Sequence, residues 1–194
     1  MITKISRPRG RPRRLDAEQA VATAQRLFHS RGYDAVSVSD VTQELSIHPP
    51  SLYSAFGNKV GLYARALERY GTHGAIPLSE ILRDDRPVAE ALAEVLEEAA
   101  RRYADPNAAG CLVLEGARCN DPEARELARA YNRAAEQVVR HYISTRHPEA
   151  ADSIADFVST TMSGLSAKAR DGYDVERLLA SARLAGATLR QALR

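Results

Sequence analysis

Apolar residues recur along this chain at spacings of three and four and rarely alternate, which predicts helices from end to end. The first opens at Asp16, with Gln19 completing a capping box, Leu15 placed to staple it, and Ala20, Ala24, Leu27 and Phe28 on one face. Gly32 is positioned to end it as a left-handed cap. Ser37 and Asp40 repeat the capping pattern at a short second helix whose inward face is Val38, Val41 and Leu45. After a turn at Ser46 and Ile47, Pro49 and Pro50 open a third helix, because prolines there remove no internal hydrogen bond. Leu52 and Phe56 face inward, and Ser51, Tyr53, Ser54 and Ala55 face out. Asn58 caps a fourth helix carrying Leu62, Ala66, Leu67 and Tyr70, which Gly71 and Gly74 break.

The stretch 71–86 has little periodicity and reads as a loop with at most one short helix. Pro87 opens a fifth helix to about Tyr103, with Ala91, Leu92, Val95, Leu96 and Ala99 inward. A short apolar sixth spans about Ala108 to Cys119. Asn120-Asp121-Pro122-Glu123 starts a long seventh, ended by His147-Pro148. The eighth runs from Pro148 to about Arg170, and Asp174 caps the ninth. Strand-forming runs are scarce, so the expected fold is all-α with nine helices.

Charge changes the picture. The net charge of +2 over 194 residues conceals an asymmetry, because Lys4, Arg7, Arg9, Arg11, Arg13 and Arg14 stand in an opening stretch with no acid. The positive field is gathered at one end, as suits a protein that meets a polyanion there. Prolines and charge make 1–14 an expected disordered arm. Pro8-Arg9-Gly10-Arg11-Pro12 resembles an AT-hook core, which would lay Arg9 and Arg11 along a narrow A·T minor groove. The alternative is a solvated tail with only nonspecific phosphate attraction. No stretch suits a bilayer span or signal peptide, so the chain is expected to be cytoplasmic. Cys111 and Cys119 read as two reduced thiols, and the five histidines lack metal-ligand spacing; no cofactor, metal or membrane partner is expected.

The second and third helices have the geometry that enters a major groove. The segment Leu-Tyr-x-x-Phe-x-x-Lys after the turn, between a capped helix before and a longer one after, resembles the DNA-binding domain of the TetR family of transcriptional regulators over about Leu15 to Tyr70. The resemblance implies a three-helix head at 15–59 and a ligand-binding and dimerisation body at 60–194. It implies DNA contacts from His48, Pro49, Pro50, Ser51, Tyr53 and Ser54, with Ser39 facing the same groove and Tyr53 and Lys59 meeting phosphates. Helix amides near Ser51 and Asn58 are expected to help hold phosphate. Ser46 stands where the family usually has glycine, and no Arg, Lys, Asn or Gln on the third helix faces the bases, so the usual bidentate readers are missing.

The resemblance further implies a homodimer through the last two helices, where Ser159, Ser163, Gly164, Ala182, Ala185 and Leu189 are small or apolar; the alternative is packing of this face within one subunit. It implies a small-molecule effector, for which Tyr70, His73, Tyr103, Cys111, Tyr131 and Met162 are candidate pocket residues, each with plain core as its alternative. The expected function is a ligand-responsive repressor released from a pseudo-palindromic operator. An enzyme finds no nucleophile–base pair, phosphate loop or metal cluster to support it. An architectural binder using the arm alone leaves the body without a role.

Overall fold

The computed structural model describes residues 15–194, so Arg9 and Arg11 lie outside the described residues. All nine expected helices form, joined by one additional short helix. They are α1 (Ala17–Arg31), α2 (Val38–Leu45), α3 (Pro49–Phe56), α4 (Lys59–His73), α5 (Leu78–Ile81), α6 (Val88–Tyr103), α7 (Leu112–Gly116), α8 (Pro122–Ser144), α9 (Ala151–Arg170) and α10 (Val175–Ala192). The addition is α5, inside the stretch expected to hold at most one short helix. A 3-10 turn, Pro148–Ala150, leads into α9.

Local chemistry accounts for most starts. Asp16 Oδ1 accepts from the amides of Glu18 and Gln19, satisfying two free donors of α1. Asp121 does the same for α8 through Glu123 and Ala124, with Pro122 in the first turn. Asp174 caps α10 at the amide of Arg177. Some ends differ from expectation. Gly32 has positive φ but an extended ψ (81°, 157°), so it exits as a strand-like mirror conformation rather than a left-handed cap. Gly71 does not break α4, which continues to His73 and is closed by Gly74. The helix expected from Ala108 shortens to α7, because Gly110 turns the chain at φ 80° and Ser166 Oγ takes the Cys111 amide at 2.9 Å.

The head packs α1 against α4. Ala20, Ala24, Leu27 and Phe28 meet Leu62, Tyr63, Ala66 and Leu67, all essentially inaccessible to water. Each buried leucine contributes about 2 kcal/mol of transfer free energy. Phe28, Tyr33 and Tyr63 add an aromatic cluster, with Phe28 and Tyr63 edge to face at 5.1 Å and Tyr33 and Tyr63 at 4.8 Å. The 59/60 boundary does not interrupt the core. Helix α4 belongs to both halves, packing on α1 and also on α7 and α8, and one apolar cluster runs from Val21 to Leu189. At the α7 crossing, a Cβ added to Gly116 would lie 1.9 Å from Tyr63 Oη, so only glycine fits there.

In the body, α6 lies between α9 and α10. This corrects the expected role of the small-residue face of α10. Ala182, Ala185 and Leu189 are buried against the same subunit (0, 8 and 0 % exposed), and a Cβ on Gly186 would come within 2.9 Å of Ala93 Cβ. Close approach of α10 to α6 already uses that face, leaving it nothing to offer a partner. Leu184, on the opposite side, is 73 % exposed. On α9, Ser163 is half-buried and Gly164 opens onto free space.

Candidate nucleic-acid interface and body cavity

The helix-turn-helix is built by its own side chains. The Ser37 amide donates to Asp40 Oδ2 at 2.6 Å, and the Asp40 amide donates back to Ser37 Oγ at 3.1 Å. The bonds from Ser37 hold the Asp40 carboxyl below its ordinary range. Ser46 then takes the left-handed conformation (φ 55°, ψ 41°) that glycine would adopt without strain. Its amide closes on Gln43, and the Ile47 amide closes on Thr42 at 3.0 Å. The turn is therefore the usual one, made with an unusual residue.

Leu52 anchors α3 in the core at 0 % exposure, which fixes the helix's rotation. His48, Pro49, Pro50, Ser54 and Tyr53 (48 % exposed) consequently face solvent, with Ser51 half-buried beside them and Ser39 exposed on α2. One expectation for this surface needs correction. The start of α3 offers no amides to phosphate, because Pro49 and Pro50 have none and the Ser51 amide donates to His48 O at 3.0 Å. At α4, Asn58 Oδ1 occupies the Gly61 amide and leaves those of Lys59 and Val60 for an anion.

Lys59 is half-buried. Its Nζ lies 3.9 Å from the centre of the Tyr33 ring, and partial burial lowers its pKa, opposed by Asp34 and Asp121. Tyr33 Oη in turn donates to Asp121 Oδ2 at 3.2 Å, on the carboxylate that caps α8. The Asn120 amide donates to Asp34 at 2.9 Å. Head and body thus meet directly beneath the lysine that faces the expected DNA side.

The body holds a cavity of about 450 Å3, a usual size for a small-molecule site. Tyr70, Tyr103, Cys111, Tyr131 and Met162 line it, so five of the six candidate pocket residues are brought together. His73 is the exception. It is exposed at the last turn of α4, where its Nδ1 pairs with the Thr72 hydroxyl at 2.6 Å. Tyr70 Oη donates to Cys111 Sγ at 3.6 Å. Burial raises the pKa of both Tyr70 and Tyr103, keeping their phenols neutral. Ser159, expected at the dimer face, lines the cavity instead and donates to Glu136 Oε1. Glu136 and Asn132 were not anticipated; their i, i+4 spacing on α8 is the signal that pairs them.

The comparisons agree with this geometry. The model of bacterial regulatory proteins of the tetR family matches residues 20–66. The chain is 55 % identical to the HTH-type transcriptional repressor BdcR of Escherichia coli (strain K12), covering 100 % of this chain and 99 % of that one. It is 27 % identical to the HTH-type transcriptional repressor ComR of the same organism, covering 96 % and 93 %. Among solved structures, the TetR family regulator CifR, as a cysteine mutant complexed with 26-base-pair operator DNA, superposes with a TM-score of 0.80 at 32 % identity, covering 91 % of this chain and 98 % of that one. With its helix-turn-helix, its shared α4 and its full-length likeness to BdcR, the chain belongs to the TetR family of transcriptional regulators.

Proposed function

We propose that this protein is a dimeric repressor that α3 seats in the major groove of a pseudo-palindromic operator, and that a small molecule in the body cavity releases it. The observation that carries the proposal is the continuity of one helix. Helix α4 presents Lys59 at its DNA-side end and Tyr70 in the cavity wall at the other. A ligand that moves Tyr70 acts on a rigid rod of about four turns whose far end sets the recognition helix. Dimerisation is assigned to the exposed sides of α9 and α10, at Gly164 and Leu184. The activity is binding without turnover.

Full-length relatives that are named repressors, and a neighbour complexed with operator DNA, support the reading. The arm is assigned to the flanking minor groove, where Arg9 and Arg11 supply the discrimination that α3 lacks. The test is selection of binding sites from random duplexes with the purified full chain. Two-fold related half-sites about one helical turn apart, or a multiple of it, are expected. Enrichment of no discrete site, or of a single asymmetric half-site, would rule the proposal out.

A further inference from the structure

Among the described residues, one charged side chain lines the body cavity: Glu136, on α8. No lysine, arginine or histidine lines it. Its carboxylate is held by neutral donors. Asn132 Nδ2 donates to Oε1 at 3.0 Å, and Ser159 Oγ donates to the same oxygen. Both bonds fall on Oε1, so Oε2 has no hydrogen-bond or ion-pair partner among the described residues. The cations nearest in sequence are engaged elsewhere, Arg133 with Glu126 at 2.6 Å and Arg140 with Asp152 and Asp156 at 2.5 and 3.3 Å.

Apart from Ser79, the remaining wall is apolar and aromatic, including Ile76, Val158 and Met162 with the rings of Tyr70, Tyr103 and Tyr131. A half-buried carboxylate at the wall of a largely apolar site, without a countercharge, repels an anion that enters and attracts a cation. Tyrosine faces favour the same sign of charge. The polarity of the site therefore selects by charge before it selects by shape.

We propose that the cavity takes an amphiphilic organic ammonium, its apolar body among the valines and tyrosines and its N–H donated to Glu136 Oε2. This rests on the assignment of the cavity as the effector site and narrows it to a ligand class. Carboxylates, phosphates and acyl thioesters of phosphorylated carriers are excluded from it.

The experiment is a calorimetric titration of the full-length protein with three probes of one shape: phenylbutylamine, phenylbutanol and phenylbutanoate. The amine is expected to bind roughly ten-fold or more tightly than the alcohol, and the acid weakest of all. Glu136→Gln keeps an acceptor for Asn132 and Ser159 and should level the amine with the alcohol. Met162→Trp, which narrows the cavity at one wall, should weaken binding of all three. If alcohol or acid matches the amine, or the preference survives in Glu136→Gln, the charge selection is wrong while the cavity remains a ligand site. An amine affinity unchanged in Met162→Trp places the binding outside the cavity and overturns the proposal. If none of the three binds, the ligand class is overturned, while the effector cavity stands or falls with operator release by other compounds.

Discussion

His29, in the last turn of α1, donates from Nε2 to the carbonyl of Gly110 at 3.0 Å, joining the head to the body across a separation of 81 residues. The ring is 7 % exposed and packs edge-on against Tyr70, whose hydroxyl reaches Cys111 in the cavity wall. Arg170 Nη2 donates to the His29 carbonyl at 2.9 Å from the other side. Burial lowers the pKa of His29, with the Gly110 bond opposing and the Arg170 charge adding to the effect. The folded protein therefore holds this histidine neutral, while the unfolded chain protonates it near pH 6.5. Since the unfolded state binds more protons below that pH, stability present above it is lost as pH falls. The melting temperature should drop between about pH 7 and 5, and less steeply in His29→Gln. Equal slopes in the two proteins would remove His29 as the cause.

Tyr63 Oη is buried without a hydrogen-bond partner, against Gly116. An unpaired buried hydroxyl costs about 1–3 kcal/mol. Tyr63→Phe should accordingly stabilise the fold by about 1 kcal/mol in urea denaturation. Gly116→Ala should destabilise by about 1–3 kcal/mol through overpacking, and by less in the Tyr63→Phe background. Additive effects would show that the two residues do not share the space.

Ser46 is the single non-glycine residue with positive φ among the described residues. The left-handed conformation costs a side chain about 1–2 kcal/mol, partly offset by glycine's greater freedom when unfolded. Ser46→Gly should gain about 0.5–1 kcal/mol in chemical denaturation and leave operator affinity unchanged. A loss of stability would mean that Ser46 contributes a contact its exposed position does not suggest.

Leu184→Glu and Gly164→Glu should give folded monomers by sedimentation at micromolar concentration, with helical circular dichroism intact. Ala185→Glu should instead lose helical signal, because Ala185 is 8 % exposed against α6 and a buried charge without a partner is strongly destabilising. A dimer retained by both surface variants would refute this assignment of the interface.

Arg9→Ala with Arg11→Ala should weaken operator binding and erase any preference for A·T over G·C flanks. Lys59→Ala should weaken all sequences about equally and reduce the salt slope by about one. Titrations on operators differing only in their flanks, at two salt concentrations, separate the two. Equal loss on both flanks in the arm variant would leave the arm an electrostatic tether.

Where a signal is local, the chain announced its structure. Ser37 with Asp40, and Asp121 before Pro122, mark helix starts because the groups that satisfy the free amides are neighbours in sequence. Where the partner is distant, it did not. Helix α7 is shortened by a hydroxyl 55 residues away, and His29 gains its meaning from Gly110. Ala182, Ala185 and Gly186 permit close helix approach without saying which helix approaches, and α6 proved to be the one. Glu136 was missed for a related reason. On a long amphipathic helix a glutamate is ordinarily solvated, and only the position of α9 turns this one inward.

The ring of Tyr33 has two claimants, Lys59 on its face and Asp121 at its hydroxyl. Sharing makes the traffic run both ways. For a repressor released by a ligand, whatever free energy the ligand uses to loosen Lys59 from a phosphate, the phosphate returns in full against the ligand. Operator DNA is then an antagonist of the small molecule, as the small molecule is of the DNA. The dose that opens a promoter rises with that promoter's own grip on the protein. Promoters graded in strength would form a ladder of thresholds, climbed in order as the concentration of one compound increases.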